Sequence, residues 1–75
     1  MRFLVIIEPT ETGFRARVPD IEGCVASGRT RDQVERQIRA VIEFHFAELR
    51  ARGLEPPRPS AVPALVDVLA PVPSG

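Results

Sequence analysis

The stretch Phe3-Leu4-Val5-Ile6-Ile7 decides how the rest of this sequence is read. It sets five apolar residues in a row, aromatic or aliphatic, with no polar break. Aromatic and β-branched side chains suit a pleated, packed surface. An unbroken apolar run of strand length predicts a strand buried on both faces. Such a strand belongs inside a sheet rather than at its edge. The run is also far too short for a signal-peptide core or a membrane span.

Outward from this strand, Pro9-Thr10-Glu11-Thr12-Gly13 has the chemistry of a hairpin turn. Proline withholds a ladder donor and glycine supplies positive φ. Phe14-Arg15-Ala16-Arg17-Val18 then alternates strictly, which is the period of a half-buried strand. Phe14, Ala16 and Val18 fall on one face. Arg15 and Arg17 fall on the other, within reach of Glu8 or Glu11 across the hairpin. Pro19 to Gly23 forms a loop, and Cys24 to Gly28 a short third strand of small residues.

Thr30-Arg31-Asp32-Gln33 opens a helix. Threonine followed three residues later by glutamine is a capping box, and Asp32 sits where the helix dipole favours an anion. Val34, Ile38, Val41, Ile42, His45 and Leu49 trace one helical face. Arg50, Arg52 and Gly53 close it. Residues 54–63 carry Pro56, Pro57, Pro59 and Pro63 and read as a stiff, extended connection. Ala64-Leu65-Val66-Asp67-Val68-Leu69-Ala70 is the last predicted strand, stopped by Pro71 and Pro73. The expected fold is α+β, in the order β-β-β-α-β. It is a four-stranded mixed sheet, order 3-2-1-4, with the helix on one face. Leu4 and Ile6 would be partly exposed on the other.

At 75 residues the chain is read as a single domain, 1–75. So small a domain has a thin core and gains from self-association. Ten acidic residues balance ten basic ones, all arginine. Zero net charge argues against a general nucleic-acid binder. Cys24 and His45 are the only soft ligands, fewer than a structural zinc site requires, so neither metal nor cofactor is expected. A lone cysteine suits a reducing compartment, and the expected location is the cytoplasm.

Residues 18–30, Val-Pro-Asp-Ile-Glu-Gly-Cys-Val-Ala-Ser-Gly-Arg-Thr, resemble the signature of HicB-like antitoxins. In that signature a proline-aspartate-apolar-x-glycine-cysteine segment is followed by a small-residue strand and a threonine helix cap. The likeness extends over essentially the whole chain. It implies a partial ribonuclease H-like fold. It also implies a non-enzymatic antitoxin of a toxin–antitoxin system, which binds and occludes a small HicA-type ribonuclease. Family members commonly carry a DNA-binding domain after this one. The sequence ends at Gly75, so no direct DNA binding is expected of it.

The candidate partner-binding residues are Asp20, Glu22, Asp32, Phe44 and Phe46. The carboxylates suit a basic toxin. Phe44 and Phe46 stand about 200° apart on the helix, so one of them is expected to face a partner. Two alternatives stand beside this reading. One is an orphan, self-associating α+β protein, a homodimer or higher homo-oligomer with an unknown regulatory role. The other is a metal-dependent nuclease using Asp20 and Glu22 with Glu8 or Asp67. A Cys24–His45 nucleophile pair lacks an orienting group and an oxyanion hole, so no catalytic residue is assigned.

Overall fold

A computed structural model describes residues 1–71. Three strands precede one helix: β1 (Ile6–Pro9), β2 (Phe14–Arg17), β3 (Val25–Gly28) and α1 (Arg31–Ala51). Both strand pairs are antiparallel and the sheet order is β1-β2-β3. The register sets Ile7 opposite Ala16, and Ala16 opposite Ala26, on the helix side. Ile6, Arg17 and Val25 line up on the far side. There the guanidinium of Arg17 lies 3.5 Å from the carboxylate of Glu8, both half-exposed. An exposed pair of this kind contributes about 0–1 kcal/mol.

The loop between β2 and β3 is two turns in succession. Ile21 N–H donates to Val18 O at 3.1 Å, with Pro19 at the corner proline favours. Cys24 N–H donates to Ile21 O at 3.3 Å. In this second turn Gly23 has φ +87°, a conformation glycine adopts without strain. The double turn drives Ile21 and Cys24 into the core.

The helix begins as the capping residues require. Thr30 Oγ1 accepts from Gln33 N–H at 3.0 Å. Gln33 Oε1 reaches back to Arg29 N–H at 2.9 Å, one residue before the cap. At the far end Gly53 N–H donates to Arg50 O and Leu54 N–H to Leu49 O, which satisfies carbonyls the helix leaves open. The fully buried core is Ala16, Val18, Ile21, Cys24, Val34 and Ile38. α1 lies mainly over β3 and β2 and only lightly against β1.

Two expectations are corrected here. Phe3–Ile7 is not a central strand: β1 starts at Ile6 and forms an edge. Its residues are half-buried because the helix covers the β2–β3 side of the sheet and only brushes theirs. The four-stranded 3-2-1-4 sheet, and with it the partial ribonuclease H-like topology, is also overturned. Residues 64–70 form no strand and pair with none among the described residues. The cause lies just before them. After the helix, the proline-rich connection is strapped to the double turn through Asp20. Ser60 N–H donates to Asp20 Oδ2 at 2.8 Å, Ser60 Oγ–H to Oδ1 at 2.8 Å and Ala61 N–H to Oδ2 at 2.9 Å. From this clamp every residue from Val62 to Pro71 is exposed. The predicted stop at Pro73 lies outside the described residues.

Donation from Ser60 N–H, then from Ala61 N–H and the Ser60 hydroxyl, holds the Asp20 carboxyl below its ordinary value. A carboxylate with a lowered folded pKa contributes above its unfolded value. The contribution is lost as pH falls through the folded one. The Ser60 and Ala61 amide resonances should therefore titrate with a midpoint below 3.8. Asp20→Ala should abolish that titration and release the strap at every pH. A midpoint at the ordinary aspartate value would show that the clamp does not form in solution.

A second prediction concerns the helix–sheet contact. A Cβ added at Gly28 would stand 3.0 Å from Val34 N and 3.3 Å from Val34 Cα. Gly28→Val should lift the helix and cost about 1–3 kcal/mol, as overpacking does. Urea denaturation of the full chain checks this, and an unchanged midpoint would refute close packing at that point.

Candidate functional site

The light contact between α1 and β1 leaves a groove along the sheet edge. Phe3, Val5 and Ile7 alternate along one wall, and Ile38, Ile42 and Phe46 form the other. Arg31, Glu35, Arg39 and Glu43 rim it on the helix side, and Arg2 and Met1 close the N-terminal end. Its volume is about 660 Å³. The wall residues are half-buried apart from Ile38, which belongs to the core. Phe3 and Phe46 meet edge to face, with ring centroids 5.5 Å apart at 67°. That is a favourable aromatic geometry. It fixes residues 3–5, which precede the first ladder residue, against the helix.

The groove is an apolar surface with charges of alternating sign, Arg31, Glu35, Arg39 and Glu43, along one lip. It offers dispersion contacts and a strand edge with no partner strand among the described residues. A surface of this kind can hold an extended apolar segment.

The sequence-derived candidates do not converge on it. Phe46 is one of its walls, and Phe44, on the other flank of the helix, is 67% exposed. The helical arithmetic therefore separated the two phenylalanines in the right sense. Asp20 has both oxygens engaged by the strap, so the residue that looked like a partner contact is an internal tie. Glu22 is exposed on the double turn, and Asp32 is exposed in the first turn of the helix. The groove residues Phe3, Val5, Ile7 and Ile42 were read only as core. Their one available signal was the alternation of Phe3, Val5 and Ile7, hidden by the equally apolar Leu4 and Ile6.

Asp20 and Glu22 were the carboxylates of the nuclease alternative. Among the described residues no group of three or more His, Cys, Asp or Glu comes together. Cys24 is buried, and burial pushes its thiol up, away from the nucleophilic thiolate. His45 packs beside Phe46, with ring centroids 6.4 Å apart.

Comparison with known proteins gives one clear relative. The chain is 37% identical over 49 residues to a "UPF0150 protein" of Helicobacter pylori strain J99, covering 65% of this chain and 68% of that protein. No protein-family model matches the chain, and no solved structure matches it. These findings correct the HicB-type resemblance and the antitoxin function drawn from it. The relative bears a different family name, and the sheet lacks the fourth strand the resemblance required. The residues that suggested the likeness also have local work in this fold. Pro19 and Gly23 shape two turns, Asp20 ties the strap, and Cys24 fills the core. By its extent and identity the match shows that this chain belongs to the UPF0150 family.

Proposed function

We propose that the chain is a self-associating, non-enzymatic α+β module that assembles with copies of itself in the cytoplasm. The observation that carries this reading is a mismatch. Six residues form the buried core, while Val25, Phe44, Leu54, Val62, Leu65, Val66, Val68 and Leu69 are exposed and the groove beside β1 stands open. A domain of this size gains little from one core. Fully burying a valine or leucine contributes about 1.5–3 kcal/mol, so covering even part of this surface compares with the whole stability of a small domain. Apolar surface on this scale marks an association site. A buried free cysteine fits the reducing setting of the proposal. No helix is long and apolar enough to cross a membrane among the described residues.

Sedimentation equilibrium of the full chain tests the reading. The monomer mass is 8.3 kDa. The expected result is a dimer or larger closed assembly at micromolar concentration. A mass that stays at the monomer value up to hundreds of micromolar would sink it.

A further inference from the structure

Two vacancies in this chain match each other. The first is the outer edge of β1 with its groove. Residues 3–9, the strand and the three residues leading into it, are seven in number, and β1 has no partner on that side among the described residues. The second is the segment Ala64–Ala70, also seven residues, which is exposed throughout and paired with no strand among the described residues. Leu65 and Leu69 have essentially no protein around them, at 104% and 99% exposure.

The segment has the pattern of a strand. Side chains alternate across a strand's two faces. Val62, Ala64, Val66, Val68 and Ala70 therefore make one wholly apolar face. Leu65, Asp67 and Leu69 make the other, and Asp67 is the one charge between residues 61 and 71. A segment of this kind, exposed to water in a chain that also bears a bare sheet edge, is an incomplete arrangement.

Resting on the proposal of self-association, we propose that residues 62–71 of one copy form an added strand on the β1 edge of a second copy. The Val66 and Val68 side chains lie in the groove between Ile7 and Ile42. The occupant is a second copy because of where the segment starts and where it goes. Its root, Ser60–Ala61, is held by Asp20 at the double turn. Beyond that root every described residue, Val62 to Pro71, is exposed, and the molecule is drawn out to 61 × 28 × 17 Å. Ten extended residues reach about 33 Å from the clamp. Exchange is reciprocal: the segment of each copy fills the groove of the other. A two-fold pair thus closes both vacancies at once and leaves neither segment over. Main-chain hydrogen bonds hold such an added strand, and alternate side chains select it. The mixed Arg31, Glu35, Arg39 and Glu43 rim is compatible with a neutral, apolar occupant.

The test uses the full chain in a mixed sample, one copy carrying isotopically labelled methyl groups and the other unlabelled. Nuclear Overhauser contacts are filtered for pairs between copies. Contacts from Val66 and Val68 to Val5, Ile7 and Ile42 are expected between copies. Val66→Asp with Val68→Asp changes only exposed residues and leaves the monomer fold intact by circular dichroism. It should weaken the dimer roughly tenfold or more. Phe44→Ser, on the other flank of the helix, should leave the dimer unchanged. A dimer that keeps its affinity in the double variant, or loses it with Phe44→Ser alone, overturns strand exchange and leaves self-association standing. Segment–groove contacts found only within one copy, in a monomeric sample, overturn both.

Discussion

The arrangement depends on how closely one helix can approach the middle strand. Ala16, at the centre of β2, and Val34, one turn into α1, are fully buried, and Ile38 follows on the same helical face. Alanine on the strand and glycine at the end of β3 keep that side of the sheet low, so the helix backbone settles over β2 and β3. Close packing there leaves only a light contact for β1. The helix is one cylinder about 10 Å across and strands lie about 4.8 Å apart, so a helix centred over β2 and β3 reaches only the near side of β1. The strand furthest from the contact keeps its apolar side chains half in water.

Much of this was legible in the sequence. Thr30 and Gln33 announced the helix start, the Arg50–Gly53 stretch its end, and the Phe14–Val18 alternation a half-buried strand. Each of those signals is local: a cap or a period is decided by residues within one turn or one hairpin. The place of Phe3–Ile7 in the sheet was not legible. An apolar run says that both faces of a strand avoid water but not what covers them. Here one face meets the helix flank and the other carries Leu4 and Ile6, half-buried with no layer over them. The Ala64–Ala70 run has the apolar pattern of a strand, but the structure forms no strand there. A strand, however, requires a partner edge, and the root of this segment is fixed by a clamp between Asp20 and Ser60, forty residues apart in sequence.

That clamp also shows why a motif can mislead. The proline, aspartate, glycine and cysteine of residues 19–24 look like a recognition signature because their types and spacing are constrained. The constraint is conformational. One residue bends the chain, one takes positive φ, one fills the core and one accepts three hydrogen bonds from the strap. A loop that must do four structural jobs in six residues leaves little freedom in its sequence. That holds whether or not it ever touches another molecule.

An exposed apolar segment and a bare sheet edge in one chain are also a hazard, since edges template open-ended pairing. The sequence limits it in several places. Pro9 ends β1 without a donor, Pro63 and Pro71 bracket the segment, and Asp67 sits at its centre. Prolines and an embedded charge at such positions discourage cross-β stacking. The stiff strap adds a geometric limit. A floppy connection would let each segment join a different neighbour and so build a chain of copies, whereas a segment aimed by a fixed root samples few directions. In the proposed strand exchange the Asp20 clamp therefore bears on assembly as well as on folding. It holds the root of the segment in one orientation, which favours a closed pair over an open polymer.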